Sequence, residues 1–321
     1  MKIKLFHIST IMIFMATWLC SCCHKNSICP DSEMRQIFID FDWKHAPNAC
    51  PEGMTIYFFP ISDEGLIWKF DIAGRDGGPV EIPTGKYQML AFNNDLPGID
   101  FIDTKSFYSF AAAVHNIIAD TIISSTEMLY ASELSYLDIT SCGVNYIASD
   151  KKEQESCGKS MVRCYPDSVT TLYSVIINEV KGIEHVKSAG AYLNGVSSGI
   201  TLSSGEPVGK PVSLKLPLDI DHAGAAFNAS AYAFAPSPDP SRRYTLKVMI
   251  TRTDGKSFTH DFDVTEQVMN SIPSKNVIIL INGIEIPTGD IPDNPGEDVG
   301  NIDVGVDGWA TIEIDIESII F

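Results

Sequence analysis

The segment Arg243–Thr265, RYTLKVMITRTDGKSFTHDFDVT, decides the fold class. Apolar and polar residues alternate through Tyr244–Arg252 and again through Ser257–Asp263, a period of two that sends successive side chains to opposite faces of a strand. Asp254-Gly255 joins the two runs, and Asp-Gly supplies the positive-φ positions that a tight hairpin turn requires. This stretch predicts a β-hairpin with one face turned to a core.

The same pattern extends outward from it. In Gln36–Lys44, QIFIDFDWK, Ile37, Ile39, Phe41 and Trp43 share one face against Phe38, Asp40 and Asp42. Met54–Ile61, MTIYFFPI, is apolar on both faces and ends at Pro60, the mark of a strand covered on both sides. Leu66–Ile72, LIWKFDI, runs into the turn cluster Gly74-Arg75-Asp76-Gly77-Gly78, and Val80-Glu81-Ile82 resumes the sheet. In Ile82–Asp95, IPTGKYQMLAFNND, a Pro-Thr-Gly turn feeds a core strand with Tyr87, Met89 and Ala91 on one face. Asn276–Gly283, NVIILING, reads as a further buried strand. Helical periodicity is scarce. Ser106–Asp120, SFYSFAAAVHNIIAD, is the one fair candidate of any length, and Val264–Met269 could form a single helical turn capped by Thr265. The expected architecture is all-β, with two sandwiches in tandem.

The polar segment Asp150–Lys159, DKKEQESCGK, separates two strand-rich halves of similar size, which places an N-terminal sandwich at 35–155 and a C-terminal one at 156–287. Residues 288–308 form an acidic linker, rich in Pro and Gly at its start. Residues 309–321 follow as a terminal strand in which Ile312, Ile314 and Ile316 face one way and Thr311, Glu313, Asp315 and Glu317 the other. So regular a strand on a tether is expected to pair with a sheet edge.

At the other end, Lys2 and Lys4 precede the apolar run Leu5–Leu19, the n-region and h-region of an export signal, too short for a spanning helix. Leu19-Cys20-Ser21-Cys22 has an aliphatic residue three before a cysteine and a small residue just before it. This resembles a bacterial lipobox with Cys22 as the lipidated residue, leaving 1–21 as signal peptide and 22–34 as a tether. Cys20 and Cys23 fit the pattern less well. A Cys-Cys-His metal cluster, or plain secretion with Cys22 in a disulfide, are the competing readings. Lipidation would anchor the chain to a membrane without spanning it.

A net charge of −18 excludes nucleic-acid binding, since phosphate contacts need a basic face. An apolar content of 45% is enough for real cores and excludes wholesale disorder. Beyond Cys22 lie Cys23, Cys29, Cys50, Cys142, Cys157 and Cys164, a set that may be partly or wholly oxidised; Cys157 with Cys164 is the simplest local pair. None of these six forms a C-x-x-C pair, which argues against a zinc ribbon or a thioredoxin-type site.

Chemistry-bearing motifs are weak. Gly195-Val-Ser197-Ser-Gly199 matches G-x-S-x-G, with Asp221, His222, His260 and Asp261 following in the chain order of a hydrolase triad. That motif needs a strand-to-helix elbow, whereas Ser197 is followed by a strand and a turn. The histidines have no metal-ligand spacing, and Asn301, Asp303 and Asp307 lack the glycine and closing glutamate of a calcium loop. No catalytic residue, cofactor or metal is expected.

FDW, PEGMTIYFFP, GRDGG, IPTGKYQMLAFNND and VGVDGWATIEIDI resemble a Bacteroides-type outer-membrane lipoprotein family of unknown function. NEVKGIEHVKSAGAYLNGVSSGITLSSGE and TLKVMITRTDGKSFTHDFDVTEQV are similar to the fimbrillin-like and fimbrial anchor lipoproteins of the same bacteria. The resemblance implies two tandem transthyretin-like Greek-key sandwiches, held at the outer membrane and exposed at the surface. It implies an anchor, minor subunit or adhesin of a fimbria, with fimbrial subunits as partners through β-strand addition. Relatives that build pili are cut after an Arg near the first strand. Here Arg35 precedes that strand and Arg75 lies in a Gly-rich turn, which favours an anchor or adhesin over a stalk subunit. A second reading is a glycan-binding lipoprotein of a nutrient-capture system, with a host or glycan ligand. It needs exposed aromatics, whereas Trp43, Trp68 and Trp309 lie in alternating runs where burial is expected.

Overall fold

A computed structural model describes residues 33–62, 65–115, 117–147, 154–155 and 160–288. Cys22, the acidic linker apart from Thr288, and the strand 309–321 lie outside these described residues, as do Cys157 and Trp309. The first half contributes β1 (Met34–Phe41), β2 (Gly53–Pro60), β3 (Trp68–Ala73), β4 (Gly77–Pro83) and β5 (Gly85–Asn93). Four short strands follow, β6 (Ile99–Ile102), β7 (Ala111–Val114), β8 (Ile117–Ile118) and β9 (Thr121–Ile122). Then come β10 (Tyr130–Thr140), β11 (Gly143–Ile147), β12 (Gln154–Glu155), β13 (Met161–Cys164) and β14 (Asp167–Ser168). The second half contributes β15 (Thr170–Lys181), β16 (Val186–Thr201), β17 (Pro207–Pro217), β18 (Asp219–Asp221), β19 (Ala226–Phe234), β20 (Thr245–Arg252) and β21 (Ser257–Asp263). It ends with the helix α1 (Thr265–Ser271) and β22 (Asn276–Glu285).

Pairing reveals one topology used twice. β1 lies between antiparallel β4 and parallel β13, while β2 lies between β3 and β5, with β10 beyond β5. In the second half β15 lies between antiparallel β19 and parallel β22, while β16 lies between β17 and β20, with β21 beyond β20. The seven strands β1, β2, β3, β4, β5, β10 and β13 thus correspond in order to β15, β16, β17, β19, β20, β21 and β22. In each set the first strand sits between the fourth and the seventh, and the facing sheet runs third, second, fifth, sixth. That is a Greek-key sandwich, and the expected all-β architecture of two such units is what the chain adopts.

Each copy has its own core. Ile37, Ile39 and Phe41 of β1 face Met54, Ile56 and Phe58 of β2, and Cys164 of β13 closes the cluster. In the second copy Tyr173, Val175 and Ile177 of β15 face Leu193, Leu246, Val248 and Ile250, with Val277 and Ile279 of β22 beside them. The hairpin read from Asp254-Gly255 is present. Gly255 has φ 86, and the Arg252 N–H donates to the Lys256 carbonyl at 2.8 Å. Arg252 is fully buried beneath it, paired with Asp254 and lying 5.3 Å from the Phe258 ring centroid.

Residues 94–129 break the symmetry. They join β5 to β10 and carry β6–β9, of which β7 pairs with β16 and β9 with β17 of the other copy. This explains why Met54–Ile61 is apolar on both faces. Ile56 and Phe58 fill the first core, while Tyr57 and Phe59, with Leu90 and Phe92 of β5, turn to the larger cluster. There Phe110 packs 5.1 Å from Tyr57 and 5.5 Å from Phe92, measured between ring centroids, and Phe101 stacks on Phe92 at 4.2 Å.

Several sequence expectations change. Ser106–Asp120 is strand and turn, not helix, because Ala111–Val114 pairs on both sides with β6 and β16. Helix α1 forms, but the Thr265 hydroxyl accepts from the Tyr244 N–H at 2.9 Å while the Asp263 carboxylate takes the Thr265 N–H. Cys164 is an unpaired thiol inside the first core, and burial pushes its pKa far above the ordinary value. Met161–Cys164 pairs in parallel with β1 and so lies in a sheet of the first sandwich. Among the described residues no helix is long and apolar enough to cross a membrane.

Candidate functional site

A protein that works by strand addition needs a sheet edge with unpaired backbone groups. In the first copy β10 is covered by β11, and in the second copy β9 pairs with β17 at Ser213 and Leu214, while Pro207, Pro211 and Pro217 have no N–H to donate along the rest of that strand. β19 is covered by β18, and β4 carries Pro79 and Pro83, which have no N–H to donate. The β22 edge is blocked at its centre. The Gln267 side chain from α1 accepts the Leu280 N–H at 2.7 Å and donates to the Leu280 carbonyl at 3.1 Å, as a neighbouring strand would. β13 is four residues long. Among the described strands this leaves β3 and β21 as the bare edges of useful length.

Charge separates the two. On β21, Thr259, Asp261 and Asp263 form the exposed row, and hydrogen bonds from Thr265 hold the Asp263 carboxyl below the usual range. An acidic strand laid there meets like charge. On β3, Trp68, Phe70 and Ile72 form a half-buried row that rims the first core, with Phe70 edge-on to Phe58 at 5.8 Å and parallel to Trp68 at 6.5 Å. The opposite row is Lys69 and Asp71. Their side chains meet at 3.3 Å, and Asp71 also accepts a 2.5 Å hydrogen bond from the Thr55 hydroxyl, so Asp71 is compensated on both sides. Leu66 and Ile67, exposed just before β3, lengthen the apolar margin. The β3 edge therefore offers an apolar row beside a formally neutral Lys69–Asp71 row, without the like charge that β21 presents to an acidic strand.

The hydrolase-like motif does not assemble. Ser197 lies in mid-strand on β16, 2% exposed and opposite Pro211, and its hydroxyl has no hydrogen-bond partner among the described residues. His260 sits opposite Val248, which pairs with Ala191, so it is two strands over and about 20 Å along the sheet from Ser197. Asp221 accepts the Ala223 and Gly224 N–H groups of its own turn. Among the described residues no group of three His, Cys, Asp or Glu could hold a metal ion. Arg75 has a structural role. Its carbonyl accepts the Trp43 indole N–H at 2.7 Å and its guanidinium lies 5.2 Å from that ring centroid. Trp43 is buried, and Trp68 is half-buried on β3.

A family described as "Domain of unknown function (DUF5119)" matches residues 21–217. A curated protein of Bacteroides ovatus described as "Putative fimbrium anchoring subunit Fim4B" is 21% identical over 314 residues, covering 90% of this chain and 91% of the relative. A solved structure described as "a putative adhesin" from Bacteroides ovatus superposes with a TM-score of 0.60 at 18% identity, over 80% of this chain and 94% of that one. A second, described as "putative polysaccharide binding proteins (DUF1812)" from Bacteroides thetaiotaomicron, gives a TM-score of 0.51 at 11% identity, over 77% and 90%. At these identities the solved structures establish the likeness of fold.

Proposed function

The chain belongs to the family described as "Domain of unknown function (DUF5119)", and on that premise we propose that it is a lipid-anchored cell-envelope protein of fimbrial type, an anchor, minor subunit or adhesin. The near full-length similarity to a fimbrium anchoring subunit supports this reading, as does the lipobox-like Leu19–Cys22 with Cys22 as attachment point. It acts by assembly and binding, without chemistry, at the outer membrane. The observation that carries the assembly role is the bare β3 edge, whose apolar row suits the aliphatic face of a strand such as Trp309–Ile316 and whose neutral Lys69–Asp71 row does not repel its acidic face.

Truncation after Pro287 tests it. Loss of monomer stability means the terminal strand completes a sheet in its own molecule, and intact folding with lost assembly means it is donated to a partner. A truncation with neither effect sinks both versions. Lys69→Glu, which places like charge on the acceptor edge, is expected to reproduce the truncation phenotype. Cys22→Ala should release the protein from the membrane fraction, and retention there refutes the lipid anchor.

A further inference from the structure

β21, the second bare edge of useful length among the described strands, has the sequence SFTHDFD over Ser257–Asp263. Its exposed row is Ser257, Thr259, Asp261 and Asp263, two hydroxyls followed by two carboxylates. Its half-buried row is Phe258, His260 and Phe262, an imidazole midway between two phenyl rings. Turning the strand end for end about His260 therefore exchanges Phe258 with Phe262 and puts each hydroxyl where a carboxylate was. A row acidic along its whole length meets like charge on this edge, whereas β21 reversed upon itself sets acid against hydroxyl.

The backbone is set for the same pairing. At the two ends of the β20–β21 hairpin the Val264 N–H donates to the Tyr244 carbonyl and the Arg252 N–H to the Lys256 carbonyl. Antiparallel ladders alternate, so Leu246–Phe262, Val248–His260 and Ile250–Phe258 are the bonded pairs between them. The N–H and C=O groups of Ser257, Thr259, Asp261 and Asp263 consequently point away from β20, to the bare edge. Two copies laid antiparallel with His260 opposite His260 bring these groups together as bonded pairs, Thr259 with Asp261 and Ser257 with Asp263, each pair made twice.

We propose that β21 is a self-complementary edge through which two copies of this chain pair about a two-fold axis at His260. In that register the Asp261 carboxylate lies opposite the Thr259 hydroxyl of the second copy, and Phe258 packs beside its Phe262. Asp263 lies opposite Ser257, whose hydroxyl also shares a 3.0 Å hydrogen bond with Thr251 of its own copy. The two Asp261 carboxylates are diagonal neighbours about 7 Å apart, and each has Lys247 opposite it on β20 as an offset. Sliding by two residues sets either Asp261 against Asp261 or Thr259 against Thr259, and both slides shorten the overlap. An edge of seven residues buries little area, so the dimer is weak, with a Kd on the order of 100 μM. This goes beyond the assembly role and does not rest on it, because neither Cys22 nor β3 takes part.

Sedimentation equilibrium of the full chain carrying Cys22→Ala, from about 1 to about 500 μM, tests the proposal. Thr259→Asp sets carboxylates directly opposite one another at two places and should weaken the dimer about tenfold, and Thr259→Lys should tighten it by about the same factor. Thr259→Asp combined with Asp261→Thr exchanges the two positions, so acid again faces hydroxyl, and wild-type affinity is expected to return. Asp261→Pro removes an N–H that makes no bond inside the sheet, and should abolish the dimer while an unchanged circular dichroism melt shows that the fold is intact. A chain that stays monomeric to about 500 μM, leaving this edge to a strand of another protein or of its own terminus, overturns the proposal. So does a dimer indifferent to Thr259→Asp, or a double variant as weak as Thr259→Asp alone; both readings stand even if the proline variant fails to fold.

Discussion

The two copies of the seven-strand sandwich differ little in connection and greatly in how their edges are finished. In the first copy the sixth strand, β10, is covered by β11 and the third, β3, is bare. In the second the third strand, β17, is met by β9 at Ser213 and Leu214 and the sixth, β21, is bare. The cover on β17 comes from residues 94–129 of the first copy, so one unit protects an edge of the other. The seventh strands differ as well, four residues in β13 and ten in β22, and only the longer one carries a side-chain plug. Cores set the repeated topology, and edges are where two units of one fold acquire separate roles.

Mutations on either side of this contrast have distinct expected effects. Phe110 is fully buried where residues 94–129 join the two copies, so Phe110→Ala should cost about 4 kcal/mol in urea unfolding and separate one transition into two. A single unshifted transition would mean the aromatic cluster does not couple them. Asp254→Asn removes the carboxylate from buried Arg252 in the second copy only, and should cost about 2 kcal/mol, less than a fully buried pair because Asp254 is partly exposed. Its pH dependence has a defined sign. The Arg252 hydrogen bond lowers the Asp254 pKa in the folded state, so the stabilisation is present above the ordinary carboxylate value and is lost as pH falls through the lower folded one. The wild type and Asp254→Asn should therefore converge in strong acid, as read by acid unfolding curves.

Gln267→Ala unplugs β22 and should cost about 1 kcal/mol while raising self-association in analytical ultracentrifugation, since Leu280 would then offer unpaired backbone groups. A variant that stays monomeric would show that the plug is not what protects this edge. The smallest effect is expected for Tyr87, whose hydroxyl donates to the Pro83 carbonyl at 2.9 Å in the first copy and whose pKa is raised by burial to about 12. Because the folded pKa lies above the unfolded one, its contribution is full below about pH 10 and is lost as pH rises toward 12. Tyr87→Phe should flatten that part of the alkaline unfolding curve and cost under about 1 kcal/mol near neutrality.

Period-two alternation and turn residues carried the strands. Leu246, Val248 and Ile250 alternate as a half-buried strand must, and Asp254-Gly255 marks their hairpin. Ser106–Asp120 was opaque because Ala111, Ala112 and Ala113 suit a helix by propensity, and the pairing that overrides this comes from β16, distant in sequence. Cys164 was opaque for a related reason. Spacing alone makes it a partner for Cys157, whereas the parallel pairing of β13 with β1 carries it into the core. The β3 edge left no motif at all, since an edge is defined by the strand that is not beside it.

Local sequence settled part of this protein: an all-β chain, its hairpins and a strongly acidic net charge. These follow from side-chain periodicity, turn conformation and charge, which act over a few residues. Tertiary structure alone decided that one topology is used twice, that residues 94–129 bind the copies together, and which edges stay bare. Those outcomes depend on pairing between distant strands, where the gain of burying a shared face outweighs local preference.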